Sequence, residues 1–342
     1  MRLPSTVLLA FLAPLTVRAD NSGRSKNVDL TRLEILSTVD RKYTHSLAPS
    51  GSAFAVFDAN IVRLVDPRNG RELQTLIGHV GMIHDAGWSR DGSLIATSGY
   101  DETVRVWETA TGRQVLNIKP LYSFACSVAF SPDGRLLAAG GSDDGQLKII
   151  DVASGGIVRG IQTADSTLYA LEFTADGRYL IVNHTIMNRG DSSVRIFKRS
   201  DWTEVKTSIK GPATCFALSR EGGRFAYSTP TGSIVLLETS GWTELRNFDA
   251  HQFGASSLAF HPRGRYLASS GRDGMVRLWD VTKGSLVHSL PIKGEVDSRL
   301  VFGSDEESLV VATADATVRL FGRREAAIGS SPPADPVPAV EK

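Results

Sequence analysis

Cysteine is nearly missing from this chain, with two among 342 residues. Cys126 and Cys215 cannot build a disulfide framework or a four-thiolate metal site. They fall in different, non-adjacent stretches of one repeating pattern, so free thiols are expected. An excess of charge is missing too: 38 Lys and Arg stand against 37 Asp and Glu, with a net charge of +1 and no block of like charges. A nucleic-acid or anionic-membrane surface needs clustered Lys and Arg, so no nucleic-acid partner is expected. No apolar run reaches the roughly 20 residues of a spanning helix. The phosphate-cradling glycine loop followed by Lys and Ser/Thr, the His-Glu-x-x-His zinc motif and the Gly-x-Ser-x-Gly nucleophile elbow are all absent, and so is helical periodicity.

What is abundant is glycine, 32 residues of it, and much of it sits in one phrase. Ser131-Pro132-Asp133-Gly134 has relatives at Ser89-Arg90-Asp91-Gly92, Thr174-Ala175-Asp176-Gly177 and His261-Pro262-Arg263-Gly264, with looser copies at Pro49-Ser50-Gly51, Ser219-Arg220-Glu221-Gly222 and Ser304-Asp305-Glu306. From Gly51 the glycines step by 41, 42 and 43 residues to Gly92, Gly134 and Gly177. A fixed period of this length is the mark of a repeat architecture. The last aromatic or aliphatic residue before each phrase gives a register mark: Leu47, Trp88, Phe130, Phe173, Leu218, Phe260 and Phe302. After each mark come a turn, a short apolar run such as Leu94–Ser98, a Gly/Asp turn, an alternating strand such as Thr103–Trp107, and a further short strand. Short strands at regular spacing predict an all-β fold, and four strands in each of seven units predict a seven-bladed β-propeller of antiparallel blades.

The units resemble WD repeats. Gly78-His79 precedes the first strand of the second unit, Asp101 lies in its second turn and Trp107 closes its third strand; the sixth unit repeats this with His251, Asp273 and Trp279-Asp280. The resemblance extends over residues 30–325. It implies a buried hydrogen-bonded set in each of these units, made of His79, Thr97, Asp101 and Trp107 and of His251, Ser269, Asp273 and Trp279. Taken alone, His79 with Asp101 and Thr97 also fits a catalytic constellation, but its recurrence at the same offsets in a second unit favours a structural role. In the other five units the Trp place holds Val65, Ile150, Phe197, Leu237 and Phe321, so apolar packing is expected there.

A ring of blades must also close. The segment Leu30–Leu36 reads as an unassigned strand and is expected to supply the outer strand of the seventh blade, removing a free edge; the family resemblance implies the same closure. At the N-terminus, Arg2 precedes the apolar run Val7–Ala13 and small residues follow near Val17-Arg18-Ala19, which is signal-peptide grammar. The expected organisation is an export signal over 1–19, a linker over 20–29, the propeller over 30–325 and a disordered proline-rich tail over 326–342. Export to the periplasm or the extracellular space is the expectation. The alternative is a cytoplasmic scaffold whose true start lies downstream.

Residues for catalysis are scarce. His79 and His84 with Asp85 come nearest to metal-ligand spacing, and Asp143-Asp144-Gly145 resembles a calcium-loop fragment, yet it occupies the place of the ordinary turn aspartate. No metal site, cofactor or catalytic residue is expected. The resemblance implies that partner contacts concentrate on the face carrying the entry loops and second turns, the top. The positions concerned hold Arg41 and Tyr43, Met82 and His84, Phe124 and Cys126, Thr167 and Tyr169, with Tyr100 and Arg272 just before turn aspartates and Met187 and Arg189 in an insertion of the fourth unit, around 185–190. Large and aromatic residues gather in units one to four, while units five to seven hold small ones such as Thr214 and Ser256. Aromatics, Met and Arg are the residue types that anchor interfaces, so a protein or peptide partner on half of the top rim is expected, with the propeller itself a monomer. The other reading is an extracytoplasmic propeller enzyme or small-ligand binder using the central channel. Within the insertion, Asn183-His184-Thr185 fits an N-glycosylation acceptor. Trp202 and Trp242, in matching phrases, are expected to pack between neighbouring blades.

Overall fold

The repeating turn phrase has a local cause. In a computed structural model of the chain, Ser131 Oγ donates to Asp133 Oδ1 at 2.6 Å and accepts the Leu136 N–H at 2.9 Å, while Gly134 takes a φ of 69°. Ser89 with Asp91 and Thr174 with Asp176 make the same turn, at 2.7 Å each. The glycine is required because φ near +70° is accessible to it without a Cβ penalty. His261 replaces the serine in its copy, and its Nδ1 accepts the Arg263 N–H at 3.1 Å.

The structure describes residues 34–40, 44–49, 51–66, 69–121, 123–142, 144–163, 167–186, 191–205, 209, 211–252, 254–292, 299–302, 308–312 and 317–322. No helix occurs among them. They form seven antiparallel sheets, six of them four-stranded. The first strands are Thr44–Leu47, Ile83–Trp88, Ala125–Phe130, Thr167–Phe173, Cys215–Leu218, Ala255–Phe260 and Arg299–Phe302, so every register mark is the last residue of the first strand of its sheet. The sheets are numbered one to seven in that order.

The core lies between sheets. Ala96, Val104 and Val106 of sheet two cluster with Val128, Phe130, Leu137 and Ile150 of sheet three. Each further pair of neighbours has its own cluster, and Val310 of sheet seven packs with Phe54, Val56 and Val65 of sheet one. Outer strands such as Ile157–Gln162 and Thr243–Asp249 are largely exposed. This is the β-propeller plan: each sheet buries both faces against neighbours and leaves its outer edge to solvent.

The strand that pairs with Thr317–Gly322 at the outer side of sheet seven is Glu34–Asp40; it takes in the last three residues of the expected Leu30–Leu36, and residues 30–33 lie outside the described ones. The fourth unit needs adjustment. Among the described residues, sheet four has three full strands, and its outer side shows a bridge between Phe197 and Glu204. The insertion in that unit is partly strand, because the second and third strands run to eight residues each, Tyr179–Ile186 and Asp191–Lys198. Asn183 lies within this ladder, 7% exposed, so its side chain is not presented as a glycan acceptor. Trp202 and Trp242 both have positive φ, 60° and 55°. Trp202 packs on the cluster between sheets three and four, and Trp242 is buried in the one between four and five. The export segment, the linker and the proline-rich tail lie outside the described residues, as do Arg41, Tyr43, Met187 and Arg189.

Candidate functional site

The third strands set up the polar sets. In all seven sheets the residue at the Trp place stands opposite the second residue of the second strand or its equivalent: Phe54 faces Val65, Ile95 faces Trp107, Leu137 faces Ile150, Leu180 faces Phe197, Phe225 faces Leu237, Leu267 faces Trp279 and Leu309 faces Phe321. In six of these positions the strand is part of a four-stranded sheet, and in all six the pairing with the outer strand shifts register there. A bulge of this kind re-aims the side chain at that point.

In sheet two, Trp107 Nε1–H donates to Thr97 Oγ1 at 2.9 Å, and Thr97 Oγ1 lies 2.7 Å from His79 Nε2. On the other side of the ring, Nδ1 lies 2.9 Å from Asp101 Oδ2. The arrangement is self-consistent for a neutral imidazole: the Thr97 hydroxyl accepts from Trp107 and donates to Nε2, and Nδ1–H donates to the carboxylate. Burial holds the His79 pKa below its usual value against the pull of Asp101. Burial would raise the Asp101 pKa, but the Thr103 hydroxyl, the Val80 N–H and the imidazole outweigh it and bring it to about 2. Sheet six repeats the distances: Trp279 Nε1 to Ser269 Oγ 2.8 Å, Ser269 Oγ to His251 Nε2 2.7 Å, and His251 Nδ1 to Asp273 Oδ1 2.9 Å. Both imidazoles are wholly shielded from solvent. A substrate cannot reach the threonine, the serine or the rings, so the chemistry these sets perform is mutual satisfaction of buried polar groups.

Sequence reasoning missed one member of each set. Arg277 Nη1 donates to Asp273 Oδ2 at 2.5 Å, and Arg105 Nη2 stands 3.7 Å from Asp101. The signal was present, since both arginines fall four residues after the aspartate and two before the tryptophan.

The top-rim residues are a different kind of surface. Met82 is 62% exposed, Tyr100 45% and Phe124 42%. The Tyr100 ring lies 4.8 Å from Phe124 and 6.0 Å from His84, forming a row across sheets two and three. His84 Nδ1–H donates to the Cys126 carbonyl at 2.7 Å, which fixes one end of the row to the neighbouring sheet. Val80, overlooked in the sequence, is the most exposed large apolar residue of the group at 84%. Tyr169 and Arg272 are exposed, but no ring contact joins Tyr169 to the row among the described residues. Cys126 and Thr167, at the same register as rim residues, are buried. Both cysteines are free thiols, and burial pushes Cys215 up to about 12.

The inner strands offer one feature that composition hid. The residue before the register mark is small or apolar in six sheets (Ser46, Gly87, Ala129, Ala217, Ala259 and Val301) and is Glu172 in sheet four. Glu172 is half-buried as a residue, yet protein surrounds its carboxyl, and burial alone pushes that group up to about 7. Its cross-strand neighbour is Ile181, part of the apolar cluster between sheets four and five.

A family model described as WD domain, G-beta repeat matches residues 70–108, 120–151 and 242–280. These spans contain the first three strands of sheets two, three and six. THO complex subunit 3 of Arabidopsis thaliana is 22% identical over 72% of this chain and 79% of its own length. An F-box/WD-40 repeat-containing protein of the same plant is 28% identical over 62% of this chain and 40% of its own length. Its guanine nucleotide-binding protein subunit beta is 23% identical over 74% of this chain and 67% of its own. The chain therefore spans most of the first relative and less than half of the second. Three of its sheets match the WD repeat, and relatives that share most of its length carry it too, which supports placing the chain among WD-repeat proteins.

Proposed function

We propose that the chain is a non-catalytic platform that holds a protein or peptide partner on its top face. The observation that carries this reading is the row of half-buried His84 and exposed Tyr100 and Phe124, with exposed Met82 and Val80 beside it. Large apolar side chains in solvent on a preformed surface lose little ordering entropy when a partner covers them. Two relatives carry names of subunits of larger assemblies, a THO complex and a guanine nucleotide-binding protein, which agrees with a binding role. Capture of partners from the native host by the intact chain, compared with capture by a Tyr100→Ala, Phe124→Ala variant, tests it. The expected result is loss of specific partners with cooperative unfolding retained and its midpoint only slightly shifted; equal capture by both proteins overturns the reading.

The same proposal includes export, on the signal-like run at Val7–Ala13. Sequencing the N-terminus of the protein from its native host tests this part separately; a mature start near Asp20 is expected, and retention of Met1 overturns it.

A further inference from the structure

Sheets two, three and six all carry an aspartate in the second turn, but only two of them give it an imidazole. Asp101 receives the His79 ring at 2.9 Å, the Val80 N–H at 3.0 Å, the Thr103 N–H at 3.1 Å and the Thr103 hydroxyl at 2.7 Å, with Arg105 3.7 Å away. Asp273 has His251 at 2.9 Å and Arg277 at 2.5 Å. Sheet three keeps the aspartate, Asp144, and changes what faces it.

Leu121, 2% exposed, stands nine residues before Phe130, the place that His79 and His251 hold before Trp88 and Phe260. The residue four after the aspartate is Lys148 instead of arginine, and its Nζ lies 3.2 Å from where a Cβ on Gly160 of the outer strand would be. Asp144 Oδ1 retains the Gln146 N–H at 3.1 Å. Its Oδ2 is sealed from solvent without a partner among the described residues, and so are Ser123 Oγ, Ser142 Oγ and Gln146 Oε1. Ser142 as a whole is 7% exposed. A Cβ on Gly141 would lie 2.7 Å from Asp144 Oδ1 and 2.9 Å from Ser123 Oγ; on Gly99 of sheet two it would lie 3.2 Å from His79 Nδ1 and 3.4 Å from Asp101 Oδ1. Ser123 Oγ thus bears the same relation to its glycine that the imidazole nitrogen bears in sheet two.

A carboxylate that keeps one backbone donor, with its other oxygen sealed from water and no guanidinium beside it, is costly unless something positive compensates it. The four orphaned atoms are all oxygens, from one carboxylate, one amide and two hydroxyls. Such a set suits a hard cation and offers no nitrogen or sulfur for a softer one. A water molecule in this corner would leave the charge of Asp144 uncompensated. We propose that the corner of sheet three bounded by Ser123, Ser142, Asp144 and Gln146 binds a single oxygen-seeking cation of the calcium class, beside the Leu121 that holds the place of the imidazole in sheets two and six. The cation also braces the top rim, because Ser142 N–H donates to the Phe124 carbonyl at 3.0 Å.

The test uses the full chain stripped with a chelator and then titrated calorimetrically with CaCl2, alongside thermal unfolding in CaCl2 and in NaCl of matched ionic strength. The expected result is one saturable site per chain and a Tm that rises with the logarithm of calcium concentration. Asp144→Asn should weaken binding by roughly tenfold or more, and Ser123→Ala by less. Because Asp144→Asn can disturb the turn, Leu121→His provides a second readout: it returns an imidazole to the carboxylate and should abolish the calcium response while cooperative unfolding persists. No binding heat and equal Tm in both salts would mean that water alone fills the corner, and the proposal fails. A calcium response that survives in both Asp144→Asn and Leu121→His also overturns it, since the cation is then bound elsewhere.

Discussion

Sheets two and three sit side by side and solve one packing problem in different ways. In sheet two a tryptophan fills the space behind the second strand, and its N–H must be satisfied; Thr97, His79 and Asp101 form the chain of hydrogen bonds that does so. In sheet three Ile150 fills the corresponding space with no polar atom, Ala139 takes the threonine's place and Leu121 the histidine's. The contrast shows that the polar set belongs to the tryptophan. Where an aliphatic residue suffices, the hydroxyl and the imidazole go too, and only the turn aspartate stays.

The largest test of that contrast removes the side chain behind the second strand. Trp107→Ala should cost about 3–5 kcal/mol, most of it cavity and lost burial. Thr97→Ala should be strongly non-additive with it, with a coupling of about 1 kcal/mol or more, because the two share a hydrogen bond. In sheet three, Ile150→Ala should cost about 2–5 kcal/mol and show no comparable coupling to a change at Ser142. Urea unfolding of the single and double variants measures both; additive behaviour in sheet two would remove the claim that the set acts as a unit.

Next in size is the carboxyl that breaks the small-residue rule of the inner strands. Glu172 is pushed up from 4.5 to about 7, so the native state holds its proton more tightly than the unfolded chain does. Stability is therefore lost as pH rises from about 4.5 to about 7, and the full penalty, on the order of 3 kcal/mol, is present above that range. Glu172→Ala, which installs what sheets three, five and six carry there, should raise the unfolding midpoint at pH 8 and change it little at pH 4.5. An equal effect at both pH values would mean that the carboxyl is not desolvated.

The histidines act in the opposite direction and more weakly. Burial lowers both His79 and His251, so the unfolded chain binds protons first as pH falls below about 6.5. The contribution of these sets is intact above that pH and declines below it, until the buried rings themselves take up protons. The turn aspartates follow at lower pH, with Asp101 contributing above about 4 and losing its share as pH falls towards 2. Replacing both histidines with leucine, the residue of sheet three, should flatten the pH dependence between 6.5 and 5. An unchanged slope would assign the acid sensitivity to other groups.

Much of this was legible in the sequence because turns dictate the register. The phrase around Ser131 recurs because a side-chain hydroxyl, a carboxylate and a left-handed glycine are needed together, and so the register marks fell on strand ends in all seven sheets. The His, Ser/Thr, Asp and Trp positions followed from that register. Other features were hidden for physical reasons. Asn183 matched an acceptor motif, but the insertion around it extends the ladder and buries it. The N-terminal strand of sheet seven runs on to Asp40, past the expected end at Leu36, since alternation alone does not mark where such a strand stops. The isolation of Asp144 could be seen only in three dimensions, because its sequence keeps the ordinary turn aspartate and loses partners that lie far from it along the chain.

The smallest expected stability effect lies on the top rim, where the contrast between sheets two and three disappears. Tyr100 comes from sheet two and Phe124 from the entry to sheet three, yet their rings meet at 4.8 Å and both remain more than 40% exposed. An exposed aromatic pair contributes about 0.5–1.5 kcal/mol, so Tyr100→Ala should shift the unfolding midpoint only slightly. Val80→Ser and Met82→Ser should be neutral within about 0.5 kcal/mol, since these side chains already stand in water. If Tyr100→Ala instead costs as much as Trp107→Ala, the ring is a strut between the sheets and the rim has no surplus apolar surface to offer a partner. A small cost, paired with lost partner capture, would place binding on the one surface that both kinds of sheet build together.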